Sequence, residues 1–193
     1  GASDFLLSFG NDFIDDGSVE AGRGLSHMSG MVDEEHSKGT FAYLGARLST
    51  TGLNADEWLP IQPGSEAIVA LAMAAHISAG NVSGPYAPLI ETYDMADAAA
   101  ASGLSEDSLR DLADRFAASS SPLAMGPGVG THHRNATAAN LAVLVLNDVA
   151  GAVGQTVHVG RGSSTASTPF SDMADAITEM AGGQVGVVLV HGT

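Results

Sequence analysis

The protein has 193 residues, of which 45% are hydrophobic and 15% charged, a composition typical of a chain that folds around an apolar core. Its 7 Lys and Arg against 22 Asp and Glu give a formal net charge of -15, which disfavours binding to nucleic acid or to an anionic membrane surface. Because it has no cysteine, the chain can form no disulfide, zinc-thiolate site, catalytic cysteine or cysteine-ligated iron–sulfur cluster.

Apolar runs in the sequence are short. None approaches the roughly 20 residues that a membrane-spanning helix needs, and the first residues carry no basic segment of the kind that begins a signal peptide. We therefore expect no transmembrane helix and no targeting segment in the sequence given.

The first predicted element is a strand, Phe5–Phe9, which ends in the polar turn Gly10-Asn11-Asp12. Residues 19–38 are glycine-rich and polar with only a weak helical period, and strand character resumes at Thr40–Leu44. These segments predict a strand–crossover–strand unit of a parallel sheet.

Capping signals and apolar periodicity then predict four helices. The clearest follows Gly64, where Pro63, Ser65 and Glu66 favour a helix start. Its apolar face consists of Ile68, Leu71, Ala72, Ala75 and Ile77. The second begins after Ser105, a plausible N-cap, and the other two cover residues 138–149 and 171–180.

Two more strands are predicted at Pro122–Met125 and Val185–Val190, the second suited to the centre of a parallel sheet. The alternation of short strands and helices predicts an α/β fold of parallel-sheet, Rossmann-like lobes with flanking helices. A connection containing Pro and Gly, residues 81–90, predicts a division into one lobe of residues 1–84 and another of residues 85–193. Residues 151–169 could be a functional loop or an arm over a neighbour.

A glycine-rich loop, Gly126–Gly130, lies between a predicted strand and a predicted helix, where a nucleotide phosphate could meet free backbone amides. The third glycine of a dinucleotide fingerprint would fall at His133. A tight packed turn is therefore the favoured interpretation. Adjacent His132 and His133 cannot both face one metal ion from a regular helix.

Other candidate sites have weaker support. His27 and His36 flank the acidic residues 33–35, but the spacing matches no known metal geometry. No nucleophile-elbow motif of a hydrolase is present. Trp58 and Phe9 are interpreted as packing residues because no basic residues interleave with them.

One segment is specific. It begins upstream at Arg47 and continues as Asn54-Ala55-Asp56-Glu57-Trp58-Leu59-Pro60-Ile61-Gln62-Pro63-Gly64-Ser65-Glu66. This segment resembles the molybdopterin oxidoreductase family. Leu6–Asp12 resembles the family's strand and Gly-x-Asn-Pro turn, and 125–128 and 146–154 resemble its second nucleotide-fold lobe. The resemblance covers nearly the whole chain and implies that it is an interior piece of a larger protein of the molybdopterin-oxidoreductase-type fold.

The resemblance also implies a set of cofactor contacts, because matching turns of the family hold the guanosine and pyrophosphate ends of bis-molybdopterin guanine dinucleotide. If such a cofactor is bound, the residues implied are Gly10, Asn11, Arg47, Thr51, Asp56, Gly64, Ser65 and Glu66. No catalytic or metal-ligating residue is implied in this chain. Three departures weaken the match: Asp12 replaces proline, Gly45-Ala46 replaces Asp-Pro, and Glu66 is a longer acid than the family's guanine-reading residue.

The pattern is most similar to the large iron–sulfur subunit of alternative complex III, a membrane-attached quinol oxidoreductase that keeps this fold without the molybdenum cofactor. That resemblance implies a scaffold role in an electron transfer chain, with no cofactor in this chain and iron–sulfur clusters elsewhere in the parent. The implied partners are the rest of the same large subunit and haem-bearing and membrane-integral subunits. The implied location is the periplasmic face of the bacterial cytoplasmic membrane.

Two alternatives remain at this stage. The chain could be the cofactor-binding region of a true molybdenum or tungsten oxidoreductase that holds bis-molybdopterin guanine dinucleotide. It could instead be a nucleotide-binding or interaction domain whose similarity is confined to the fold.

Overall fold

The computed structural model describes residues 3–15, 19–30, 38–79, 85–128, 135–158, 160 and 170–189. The chain divides into two compact units, residues 1–159 and residues 160–193. The first unit contains the sheet and most of the described helices.

The first unit is built on one parallel sheet. Its strands are β1 (Phe5–Phe9), β2 (Thr40–Leu44), β3 (Glu57–Leu59) and β4 (Pro122–Met125). They lie in the order β3-β2-β1-β4, with Phe5 of β1 opposite Thr40 on one side and Pro122 on the other. The predictions for β1, β2 and β4 are confirmed, whereas β3 was not predicted.

The described residues of this unit also form seven helices. They are α1 (Val19–Met28), α2 (Thr50–Leu53), α3 (Glu66–Ser78), α4 (Ala87–Ile90), α5 (Met95–Ser102), α6 (Glu106–Ala118) and α7 (Ala136–Val149). The predictions for α3, α6 and α7 are confirmed. The crossover between β1 and β2 holds a helix, α1, within residues 19–38, for which no helix was predicted.

Helices cover both faces of the sheet. Leu7 of β1 belongs to the larger apolar core, which includes residues of α3, α5, α6 and α7. Leu6, pointing to the opposite face, packs in a smaller core with Met28 of α1. Because successive strand residues face opposite sides, burial on both faces explains why β1 is buried along its whole length and has Ser8 as its one polar residue.

The predicted division after residue 84 does not coincide with the units of the structure. β4 belongs to the predicted second lobe, yet it pairs with β1 of the predicted first lobe. The units divide between residues 159 and 160 instead. The described part of the predicted connection contains α4, in which Ile90 is buried.

The outer edge of β4 is closed by side chains. Asn147 of α7 accepts a hydrogen bond from the Ala124 amide at 2.9 Å and donates one to the Ala124 carbonyl at 2.8 Å. Thr156 donates to the Pro122 carbonyl at 2.5 Å. These side chains form hydrogen bonds with backbone groups of β4 that, at an open edge, would be free to pair with another strand.

The second unit contains α8 (Phe170–Ala181), which confirms the predicted helix at 171–180. The strand predicted at Val185–Val190 is not present over 185–189, where Val187 and Leu189 are 78% and 93% exposed. This prediction was wrong because a β-rich run becomes a strand only where a neighbour supplies hydrogen bonds, and no described segment pairs with it. Among the described residues, no helix has the length and apolar character to cross a membrane.

Candidate functional site

The carboxyl ends of the strands define the place where a fold of this kind binds ligands. From β1 the chain continues to β2 and β3 on one side, whereas β4 lies on the other side of β1. The direction of winding therefore reverses between β1 and β4, and ligands of open α/β sheets bind in the crevice outside such a switch point. In this protein the crevice is bordered by Gly10 and Asn11 after β1 and by Gly126 after β4.

Asn11 bridges this crevice. Its side-chain amide donates to the Gly126 carbonyl at 2.9 Å, and its backbone amide donates to the Ser8 hydroxyl at 3.0 Å. Gly10, with φ of 73°, provides the left-handed turn that directs the chain across the strand ends. Two of the predicted contact residues thus lie at the switch point, and Asn11 is used there to join two loops.

The glycines after β4 are packed against side chains. A Cβ atom at Gly126 would lie 2.3 Å from the Asn140 side-chain oxygen, and one at Gly128 would lie 3.3 Å from Asn11 Cγ. This packing accounts for both glycines without a ligand and favours the packed-turn interpretation for residues 126–128. Val129, Gly130, His132 and His133 lie outside the described residues.

A buried carboxylate lies beside the switch point. Asp12, which is 5% exposed, accepts hydrogen bonds from the Tyr43 hydroxyl at 2.6 Å, the Ser49 hydroxyl at 2.5 Å and the Arg47 guanidinium at 2.9 Å. Tyr43 lies in β2, and Arg47 and Ser49 lie in the loop after it. We call Asp12, Tyr43, Arg47 and Ser49 the Asp12 cluster.

The Tyr43 ring explains one departure from the family pattern. A Cβ atom at Gly45 would lie 2.5 Å from the ring atom Cε1 of Tyr43, and one at Gly52 would lie 3.1 Å from Cδ1. Any side chain at Gly45 would push the ring away and disturb its hydrogen bond to Asp12. The departures at Gly45 and Asp12 are therefore physically linked through Tyr43.

Charge and burial shift the titration of this cluster. Burial acts to raise the pKa of Asp12, but hydrogen bonds from Ser49, Tyr43 and Arg47 outweigh it and hold the pKa below the ordinary value. Burial and the hydrogen bond to Asp12 raise the pKa of Tyr43 to about 12. Donation to Asp12 raises the pKa of Arg47. Asp12 is thus a carboxylate and Tyr43 a neutral donor near pH 7.

Asp15, three residues farther along the same loop, holds Thr51. Both the Thr51 amide and its hydroxyl donate to Asp15 Oδ2 at 2.9 Å, and the buried hydroxyl also accepts from the Ile14 amide at 3.0 Å. The backbone hydrogen bond from Thr51 lowers the pKa of Asp15 to about 2. Thr51, a predicted contact residue, is therefore bound within the chain.

Asp56 lies at the opposite end of the sheet. It precedes β3, and its carboxylate accepts from the Phe41 amide near the start of β2 at 2.9 Å and pairs with Lys38. Because the strands are parallel, this position is at the amino edge, away from Gly10, Asn11 and Arg47. The structure therefore does not bring Asp56 together with those residues.

Gly64, Ser65 and Glu66 lead into α3. Gly64 has φ of 89°, and a Cβ atom there would meet nothing within 4 Å. Ser65 and Glu66 are 4% and 5% exposed, and the Ser65 hydroxyl donates to the Gln62 carbonyl at 2.6 Å. The two side chains predicted to face guanosine are thus buried against the chain itself.

The remaining candidates are two aromatic residues and a cluster of histidine and acidic residues. Phe9 is fully buried, and Trp58 is 41% exposed with its indole N–H donating to the Gly45 carbonyl at 3.1 Å, so both have structural contacts. His36 and the acidic residues 33–35 lie outside the described residues. In the part of the chain that is described, no three His, Asp or Glu side chains are grouped to hold a metal ion.

Sequence reasoning missed Tyr43, Ser49 and Asp15. The available signal was positional: Tyr43 is the one strong hydrogen-bond donor among the side chains near the end of β2, and the loop after β1 carries carboxylates. Because the carboxyl ends of adjacent parallel strands meet at one edge, these groups could have been placed at the same edge in advance, although their pairing could not.

Comparison with known proteins identifies a sequence relative and, separately, a similar solved structure. The menaquinone reductase, molybdopterin-binding-like subunit of Nitratidesulfovibrio vulgaris (strain Hildenborough) is 31% identical over 163 residues, which are 78% of this chain. The chain spans 23% of that relative's length. Acetylene hydratase from Pelobacter acetylenicus matches in structure with a TM-score of 0.59 and 18% identity, over 80% of this chain and 22% of that one. The sequence matches no protein-family model.

The arrangement of these residues does not fit a guanine dinucleotide. The donors that would meet a pyrophosphate, Arg47 and Thr51, bind Asp12 and Asp15. The acids that would read guanine are buried, as Glu66 is, or placed at the other edge, as Asp56 is. At the carboxyl edge, Asn11, Arg47 and Thr51 are thus engaged in contacts within the chain.

Proposed function

We propose, on the premise that the chain is a relative of molybdopterin oxidoreductase-type proteins, that it is part of a molybdopterin-binding-like subunit of a membrane-bound quinol oxidoreductase of the alternative complex III type. In this proposal the chain is a scaffold that holds no molybdenum cofactor. Its α/β fold positions neighbouring redox groups for electron transfer from quinol.

The observation that carries the proposal is the internal use of the carboxyl edge. Asp12 is buried beneath three donors from β2 and its following loop, and it lies next to Asn11, which bridges the switch point. A cofactor pyrophosphate would have to displace the Asp12 carboxylate from these three donors. Displacement would leave that carboxylate buried without its partners, which costs about 3 kcal/mol or more.

The proposal assigns electron carriers to other parts of the assembly. The chain has no cysteine, so iron–sulfur clusters would belong to the rest of the same large subunit. Haem-bearing and membrane-integral subunits would complete the complex at the periplasmic face of the cytoplasmic membrane. The net charge of -15 suits contact with basic surfaces of such partners.

The alternative is the cofactor-binding region of a true molybdenum or tungsten oxidoreductase. The observation that favours it is Gly64, whose left-handed conformation and open surroundings precede a 13-residue helix. Free amides at such a helix start can receive an anion. In that alternative, Ser65 and Glu66 would have to turn outward from their buried positions.

A test of the proposal uses cells in which synthesis of the pterin cofactor is blocked. Quinol-dependent electron transfer by the complex that contains this protein is measured, with a molybdenum enzyme of the same cells as the control. The proposal predicts that the control activity is lost while quinol oxidation by the complex is unchanged. Loss of both activities would contradict it and favour the alternative.

A further inference from the structure

We infer that the carboxylate of Asp12 is a built-in oxyanion, which occupies a binding site for an external oxyanion formed by Tyr43, Arg47 and Ser49. This inference deepens the proposed function and rests on it, because it identifies what keeps a phosphate-bearing ligand from this edge. Removal of the Asp12 carboxylate then exposes a site for a phosphate or pyrophosphate group.

The donor set supports this inference. A hydroxyl from Tyr43, a hydroxyl from Ser49 and a guanidinium from Arg47 converge on one carboxylate at 2.5 to 2.9 Å. Two neutral donors and one cation are the groups that proteins use to hold phosphate oxygens, and hydrogen bonds to a charged acceptor are the strong ones. The chain supplies the matching anion itself.

The position of the donors supports it further. All three come from β2 and the loop after it, at the edge of the sheet where α/β folds bind ligands. The Arg47 side chain is 73% exposed whereas that of Asp12 is 6% exposed. An anion arriving from solvent would therefore meet Arg47 first and find its inner partners occupied by Asp12.

The local backbone is adapted to this arrangement. The Tyr43 ring reaches Asp12 only because Gly45 and Gly52 leave room for it. Ser49 has two roles, since its hydroxyl donates to Asp12 and accepts from the Gly52 amide at 3.1 Å. Tyr43 and Ser49 are thus held in place by contacts other than those with Asp12, and their positions should persist when the carboxylate is removed.

The experiment measures binding of inorganic pyrophosphate to the purified full-length protein by titration calorimetry. We compare the wild type with Asp12→Ala and with Asp107→Ala, which removes the same charge from an exposed position in α6. Asp12→Ala should bind pyrophosphate about tenfold more tightly than the wild type or Asp107→Ala, because the donors that Asp12 occupied can then form charge-assisted hydrogen bonds to pyrophosphate. The gain should disappear in the double variant Asp12→Ala/Arg47→Ala.

Asp12→Ser keeps a polar side chain at the buried position and carries the same prediction if Asp12→Ala does not fold. Equal pyrophosphate binding by the wild type and both Asp12 variants would overturn the inference, as would a gain that persists without Arg47.

Pterin is assayed in the same wild-type preparation to separate the two proposals. Pterin in near-stoichiometric amount contradicts the proposed function. Absence of pterin together with no gain in the Asp12 variants contradicts this inference alone.

Discussion

Asp12 connects the ends of two neighbouring strands through its three donors. It stands where the family pattern has proline, and its burial with Arg47, Tyr43 and Ser49 turns an extra negative charge into an internal contact. A buried carboxylate is tolerated where paired charge and hydrogen bonds offset its desolvation. At the residue scale, the cluster is the feature that distinguishes this edge from an open ligand site.

A pH titration of the Tyr43 hydroxyl tests directly whether the hydrogen bonds of the Asp12 cluster form. Its pKa is raised from 10.0 to about 12, so the hydroxyl should remain protonated through pH 10 to 11. The stability that follows from this shift is fully present below pH 10 and is lost as the pH rises to about 12. The difference in phenolate absorbance between the wild type and Tyr43→Phe should show a transition near pH 12. The difference between Asp12→Asn and Asp12→Asn/Tyr43→Phe should show that transition at lower pH. A transition at pH 10 in the wild type would contradict the described hydrogen bonds.

Asp15 gives the corresponding prediction on the acid side. Hydrogen bonds from Thr51 lower its pKa from 3.8 to about 2, so its contribution to stability is present above pH 4 and is lost as the pH falls to about 2. The wild type should therefore be more stable than Asp15→Asn at neutral pH, and acid titration of unfolding should show this difference shrink between pH 4 and pH 2. A difference that stays constant over that range would argue against the contact with Thr51.

The sequence was sufficient to place some of these residues but not to pair them. Gly10 and Asn11 follow an apolar strand and Arg47 follows another, so their position at the carboxyl edge could be predicted. The role of Asp12 could not, because its burial depends on a Tyr43 ring that fits only beside Gly45 and Gly52. The position of Asp56 at the amino edge could not be predicted, because β3, which puts it there, has only three residues.

At the scale of elements, β4 ends the sheet by a side-chain contact. Asn147 of α7 makes both hydrogen bonds that a further strand would make to Ala124. Its own burial at 2% exposure shows that α7 is fixed to the strand by a polar pair inside an apolar core. The exposed stretch 185–189 illustrates the opposite case, in which strand propensity without a partner yields no strand.

Replacement of Asn147 should therefore loosen β4. Asn147→Leu keeps a similar volume but leaves the amide and carbonyl of Ala124 unpaired, which should cost about 2 kcal/mol or more. Urea denaturation measures this cost, and hydrogen exchange at the Ala124 amide should become faster. Thr137→Ala, which changes an exposed residue of the same helix, should stay within about 0.5 kcal/mol of the wild type. Equal effects from the two changes would show that Asn147 does not hold the strand.

The start of α6 provides a second test at this scale. The Ser105 side chain accepts from the Ser108 amide at 3.2 Å, so Ser105→Ala should remove an N-cap worth about 1 kcal/mol. Native-state hydrogen exchange should show protection of the Ser108 amide reduced about fivefold, whereas Ser105→Asp should retain it. A Ser105→Ala variant with unchanged protection would contradict the capping contact.

Helix prediction succeeded or failed for identifiable reasons. α6 has a capping serine, acids in its first turn and buried residues at helical spacing, such as Leu109, Leu112 and Phe116. α1 has two glycines and a polar surface, so its helical conformation depends on packing of Leu25 and Met28 against the sheet. α5 was not predicted, because a run of alanines carries little amphipathic pattern.

At the scale of the whole molecule, helices cover both faces of one sheet, and contacts within the chain occupy the carboxyl edge of that sheet. The fold is similar to that of part of acetylene hydratase, and the sequence is similar to that of a molybdopterin-binding-like subunit of a menaquinone reductase. Our account is that this protein keeps the fold while its own carboxylates take the contacts that a dinucleotide would need.

The most direct test of that account is the cofactor content of the purified full-length protein in its native complex. Molybdenum, tungsten and iron are measured by mass spectrometry, and released pterin is measured by the fluorescence of its oxidised form. The account predicts iron from the neighbouring parts of the assembly with no molybdenum, tungsten or pterin above background. Pterin and either metal in near-stoichiometric amounts would contradict it.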